Sequence, residues 1–102
     1  MKTTIIDQIE ITRNGTVQIR LLKLSSDGDL IGNHRMVIEP VDNADICFSQ
    51  VNAHLQGMNM GQVQAEDIAR VKSFIPIAHT AEVVEAFVDA KSRAAQTLIV
   101  KP

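Results

Sequence analysis

TIIDQIEITRNGTVQIRLLKL, residues 4–24, is two alternating runs joined by an Asn-Gly pair. In the first run Ile5, Ile9 and Ile11 fall on one face and Gln8, Glu10 and Thr12 on the other; Asp7 interrupts the apolar face and Ile6 the polar one. A period of two is the signature of a half-buried strand, and an acid on its apolar side points to an edge or a bulge. In the second run Val17, Ile19 and Leu21 oppose Gln18 and Arg20. The phase then slips at Leu21-Leu22, which reads as a bulge or as a strand covered on both sides. Between the runs, Asn14-Gly15 predicts a type I′ hairpin turn, whose two central residues both need positive φ.

Working outward, Ser25-Ser26-Asp27-Gly28-Asp29 is a second turn cluster, and LIGNHRMVIE, residues 30–39, is a third strand closed by Pro40. Beyond Pro40 the period changes. Asp42 or Asn43 can cap a helix in which Cys47, Val51, Leu55 and Met58 recur at helical spacing, with Ile46 and His54 beside them. Gly57 and Gly61 bracket the loop GMNMGQ and are expected to end that helix. A second helix is expected from Ala65 to Phe74, with Ile68, Val71 and Ile75 on its stripe and Pro76 as its breaker. Thr80 is placed to cap a third, with Glu82 against its N-terminal dipole and Val83, Val84, Phe87 and Val88 on its apolar stripe. The last residues, TLIVKP, are apolar and β-like, open to three readings: a helix end, a fourth strand, or a strand donated to a neighbouring copy.

The pattern predicts an α+β fold: an N-terminal three-stranded antiparallel β-meander followed by two or three helices. The 102 residues form a single domain, with the meander in 1–40, the helical part in 41–97 and a tail in 98–102. A chain of this length buries roughly 60–70% of its unfolded surface, enough for one core. Cys47 stands alone, so an intramolecular disulfide and a Cys-based metal site are both excluded; it reads as a small buried hydrophobe.

Composition narrows the function classes. A formal net charge of −2, with scattered Lys and Arg, argues against non-specific nucleic-acid binding. Three Phe and no Trp or Tyr leave few platforms for stacking bases, and an interface would have to use Ile, Val, Met and backbone pairing. MKTTIIDQIEI places Asp7 and Glu10 where a secretory leader needs an apolar run, and no stretch approaches the ~18 apolar residues of a membrane span. Synthesis and folding in a cytoplasm are expected.

The chemistry-bearing residues do not assemble into a motif. His34 beside Arg35 reads as a sheet-surface pair, His54 as a helix-flank residue and His79 as a capping or loop-pinning one. A metal site would need them to converge with carboxylate or thiolate help. Asp42, Asp45, Glu66, Asp67 and Glu82 sit near helix starts, where the dipole favours them. No serine lies in a nucleophile elbow, and Gly57 and Gly61 lack the lysine of a phosphate loop. The expectation is therefore no catalytic residue, no cofactor, no metal and no small-molecule substrate. Contact residues are expected at Arg20, His34 and Arg35 on the sheet, Met58 and Met60 in the loop, and Leu98, Ile99 and Val100 in the tail. Two open edges of a meander invite strand addition, which favours a homo-oligomer or a larger assembly.

The opening IIDQIEITRNGTVQIR, the strand end NHRMVIEP and the helix start HTAEVVEAF, in this order, resemble a set of small proteins of tailed bacteriophages encoded among virion and tail genes. The sequence departs from that pattern after Pro40, where VDNADI replaces a glycine-aspartate loop, and in a longer segment from Met58 to Ile75. The resemblance implies a structural or accessory role in the tail, tail-fibre or baseplate region of a virion. Other phage structural proteins or further copies of the chain would be its partners, and it brings no catalytic residue to transfer. A binding module outside the virion, such as an assembly chaperone or an inhibitor of a host protein, is the competing expectation.

Overall fold

The computed structural model describes residues 2–100, and the side chains of residues 2–94. Three strands, β1 (Thr3–Ile11), β2 (Val17–Leu24) and β3 (Leu30–Ile38), form an antiparallel sheet in the order β1-β2-β3. Three helices follow: α1 (Ala44–Gly57), α2 (Ala65–Ala78) and α3 (Ala81–Val100). The expected α+β meander-then-helices architecture is thus the observed one.

The two hairpins are built alike, and neither uses a type I′ turn. In the first, Gly15 N–H donates to the Thr12 carbonyl at 2.9 Å, and Gly15 has φ +86°. Among the described residues Asn59 is the only non-glycine with positive φ, so Asn14 is not left-handed as a type I′ turn requires. The arrangement is a tight turn followed by one left-handed glycine, which also matches the right-handed twist of the strands. The second hairpin repeats it. Gly28 N–H donates to the Ser25 carbonyl at 3.0 Å, and Gly28 has φ +87°. In each, the leading hydroxyl accepts from the residue after the glycine: Thr12 Oγ1 from Thr16 N–H at 3.2 Å, Ser25 Oγ from Asp29 N–H at 3.1 Å.

The register explains the broken alternation. A bulge in β1 between Ile6 and Gln8 gives Asp7 no partner of its own, as an acid interrupting the apolar face suggested. The bulge flips the phase. Thr4 and Ile6 precede it on the helix side and Ile9 follows it there, so Ile5 lies on the opposite face from Ile9. The slip at Leu21-Leu22 is not a bulge in β2, which runs unbroken between two neighbours; the second irregularity falls in β3, where Ile31 is skipped between Lys23–Gly32 and Leu24–Leu30.

Val17, Ile19 and Leu21 from β2 and Met36 and Ile38 from β3 meet Phe48 and Leu55 of α1, Val63, and Val71 and Ala78 of α2 in one buried cluster. Asn43 is the cap of α1, its Oδ1 accepting from Ile46 N–H at 3.1 Å; Asp42 instead accepts from Glu39 N–H and closes the turn after β3. α1 runs through Gly57, and its end is made by Asn59 at φ +58°, not by a glycine. Asn59 N–H donates to Gln56 O and Met60 N–H to Leu55 O, the paired bonds of a left-handed helix stop. Pro76 lies inside α2, which continues to Ala78, not ending at Phe74 as expected. A proline this close to a helix end removes only one helical hydrogen bond, and buried Ala78 anchors the final turn. Thr80 caps α3 as expected, Oγ1 accepting from Val83 N–H at 3.3 Å.

Among the described side chains α3 adds nothing to the buried cluster. Val83, Val84 and Phe87 are half-buried, and every residue from Val88 to Ala94 is exposed. The backbone of Leu98–Val100 belongs to this helix, whereas their side chains, and all of Lys101 and Pro102, lie outside the described residues.

Candidate protein-contact site

The helices cover one face of the sheet, and the other carries a mixed surface that follows from the register. Residues paired directly across antiparallel strands share a face. Thr3, Leu24 and Leu30 form one row of the uncovered face, and Ile5, Leu22 and Asn33 the next. After the Asp7 bulge come Gln8, Arg20 and Arg35, then Glu10, Gln18 and Val37. One end of this face is therefore aliphatic and the other charged. Leu30 is 61% exposed, Ile31 48% and Val37 47%, large values for such side chains.

Arg20 and Arg35 are direct neighbours, which by itself is repulsive. The bulge supplies the counter-charge: Arg20 Nη1 lies 3.5 Å from Asp7 Oδ2. Both side chains are over a third exposed, so this ion pair contributes at most about 1 kcal/mol. Asp7 therefore serves better to set the charge pattern of the face than to hold the sheet.

The two edges differ. β1 is flanked at its start by the segment after α1: Thr4 and Val63 form a parallel bridge, Thr4 Oγ1 donates to Gly61 O at 2.7 Å, and Val63 N–H donates to Asn52 Oδ1 at 2.8 Å. β3 pairs with β2 on one side and with no described strand on the other. Nine residues of β3, without proline, thus present an open row of backbone donors and acceptors.

The expected contact residues are divided by this geometry. Arg20 and Arg35 sit together on the uncovered face. His34 does not join them: strand alternation turns it to the helix side, opposite Leu21, so the surface pairing of His34 with Arg35 is corrected. There His34 meets His54 of α1, ring centroids 5.3 Å apart and planes tilted 31°. Met58 is exposed and Met60 half-buried against the core, so the loop offers one methionine outward and tucks the other in. Met60 also walls a groove of about 620 Å³ with Lys2, Asn52, Gln56 and Ile68. His79 ends α2, with Nε2 buried and unpartnered. Leu98, Ile99 and Val100 have side chains outside the described residues. The aliphatic members of the uncovered face, Ile5, Leu30, Ile31 and Val37, were missed by sequence reasoning; counting register through the Asp7 bulge was the signal that locates Ile5.

The histidine pair gives a pH-dependent prediction. Burial, then the neighbouring His54, then Lys23 lower the His34 pKa from its ordinary 6.5. The unfolded chain therefore binds this proton more tightly than the folded one, and stability is lost as pH falls from about 6.5 through the lowered folded value. Urea midpoints between pH 8 and pH 5 are expected to drop with acid in the wild type and less steeply in His34→Gln. Parallel slopes would show that the pair carries no linkage. Cys47, read from the sequence as a small buried hydrophobe, is only half-buried against the core; its thiol is pushed up by burial and then by Asp42, away from nucleophilic character.

Among the described residues no group of three or more His, Cys, Asp or Glu is placed to hold a metal ion, and no helix is long and apolar enough to cross a membrane. Set against protein-family models, curated proteins and solved structures, the chain matches none of them.

Proposed function

We propose that this protein is a non-enzymatic structural or accessory component of a tailed-phage particle, in its tail, tail-fibre or baseplate region, and that it works through protein–protein contacts. The observation that carries the contact role is the uncovered sheet face with Leu30, Ile31 and Val37 exposed beside an open β3 edge. Apolar side chains next to unpaired backbone groups suit strand addition, where main-chain bonds give affinity and alternate side chains give selectivity. The setting in a virion is supported by the sequence resemblance of residues 5–20, 33–40 and 79–87.

Mass spectrometry of purified particles tests this reading, with the chain expected in them. Arg35→Glu combined with Val37→Lys changes two exposed side chains of β3, and is expected to lower incorporation while leaving the fold intact. Presence in infected-cell lysate with absence from particles would replace the virion role by a chaperone or inhibitor outside it.

A further inference from the structure

The His34–His54 contact joins a strand to a helix beside two fully buried anchors. His34 faces the helices from β3, directly across from Leu21, which is 0% exposed. His54 stands in the last turn of α1 next to Leu55, also 0% exposed, and its carbonyl accepts from Met58 N–H at 3.2 Å. Among the described residues neither ring has a hydrogen bond or an ion pair, and each has the other as its ring contact. His34 is half-buried and His54 exposed, so the pair is reached from solvent.

We propose that His34 and His54 together bind one Zn²⁺ ion, which ties β3 to α1, with water completing its coordination. The spacing of the rings carries the proposal. A ring nitrogen binds zinc at about 2.0–2.1 Å, which sets the ring centroid roughly 3.2 Å from the ion, and two such rings at a tetrahedral angle stand roughly 5.2 Å apart. The observed centroids are 5.3 Å apart. Rings cis in a square plane would stand at roughly 4.5 Å and trans at roughly 6.4 Å, so the separation favours tetrahedral Zn²⁺ over Cu²⁺. The planes are tilted by 31°. The outer torsion of a histidine is broad, so each ring turns a nitrogen towards the ion at little cost. Charge and protonation agree with this. His54 lies at the C-terminal end of α1, where the helix dipole favours a cation. The lowered pKa of His34 leaves it neutral at neutral pH, with a lone pair to give. Lys23, on the same side of the sheet one row away, opposes a cation and weakens the site. Among the described residues no carboxylate or thiolate joins the pair to make a group of three. The site is therefore an open one that exchanges its ion, unlike a closed structural zinc centre. The proposal rests on neither the protein-contact reading nor the phage setting.

Titration of the untagged full chain with zinc chloride at about pH 7.5, where both ligands are deprotonated, is the test, followed by calorimetry and by the imidazole NMR signals. One ion per chain is expected, moving the ring signals of His34 and His54 together. Those of His79, whose Nε2 is buried at the end of α2, are expected to stay in place. His34→Gln and His54→Gln are each expected to weaken binding about tenfold or more, since losing even an outer partner of a metal site costs about 10–100-fold. Zinc is also expected to raise the urea midpoint of the wild type and of neither variant. Far-UV circular dichroism checks that each variant is folded. His54 is exposed, so its variant and the wild-type NMR signals decide the matter if His34→Gln unfolds. A chain that binds no zinc at millimolar concentration overturns the proposal. So does binding that survives both substitutions, or that moves the signals of His79 alone. Each of these results would leave the proposed function standing.

Discussion

Phe48→Ala is expected to remove about 3–5 kcal/mol of stability, a large part of the roughly 5–15 kcal/mol that holds a domain of this size. Phe48 is 2% exposed and is the only one of the three phenylalanines fully buried; Phe74 and Phe87 are half-buried. With no Trp or Tyr in the chain, the core is aliphatic around this single ring. Truncation leaves a hole lined by residues already held by strands and by the α1 and α2 backbones, so collapse around it is partial and the cavity term is added to the transfer term. Urea unfolding measures it, with the midpoint falling and the slope unchanged. Ile46→Ala, two residues earlier but 58% exposed, is the control and is expected to shift stability by about 0.5 kcal/mol or less. A Phe48→Ala loss under about 1 kcal/mol would mean that α1 docks by another face. Because α1 also carries His54 to His34 and ends in the turn that places Met60 and Val63, the same substitution is expected to flatten the pH dependence assigned to the histidine pair.

Phe48 illustrates what was legible in the sequence and what was not. The period of α1 was readable from Cys47, Val51 and Leu55, and all three pack on or against the core. Period alone does not fix the rotation of a helix on its sheet by more than about one residue position, so Phe48, at the edge of that stripe, was not singled out, and Met58 was assigned to a face it leaves. The strands were legible for the same reason, being alternating runs between Gly-containing turns. What alternation does not show is where one extra residue is inserted. The bulges at Asp7 and Ile31 move Ile5 and Leu30 to the uncovered face, and a bulge is set by pairing with a neighbour, not by the strand's own pattern.

The uncovered face was half legible. Arg20 and Arg35 were read onto the sheet, where they do lie, but their cross-strand adjacency is a matter of register between residues 15 apart in sequence. The His34–His54 contact joins a strand to a helix, and nothing in the spacing of imidazoles predicts it. Pro76 shows the reverse error, a local rule applied where tertiary packing overrides it: Ala78 is buried beyond it, and the helix carries on to reach that position.

The second large effect is expected at Gly15, and the repeated hairpin turn makes it separable. Gly15→Ala is expected to destabilise by about 2–5 kcal/mol, Gly28→Ala by only about 1–2 kcal/mol. Both glycines hold the same left-handed conformation, at φ +86° and +87°, in turns with the same hydrogen bonds, so the cost of giving an L side chain that backbone is common to both. Their surroundings differ. A Cβ at Gly28 meets nothing within 4 Å, whereas one at Gly15 runs into Val83 Cγ1 and comes within 2.9 Å of the Ala78 carbonyl oxygen. Val83 is β-branched and stiff, and the carbonyl is backbone, so neither yields cheaply. The root of α3 must move instead. The difference between the two variants, read from urea midpoints, is thus the cost of relieving the clash between the hairpin and the α2–α3 junction, and equal losses at the two positions would show that this junction yields freely. Hydrogen exchange gives the local counterpart: amides from Val83 to Ala94 are expected to exchange faster in Gly15→Ala than in Gly28→Ala, since only the first loosens the two turns that fix the projecting helix to the body.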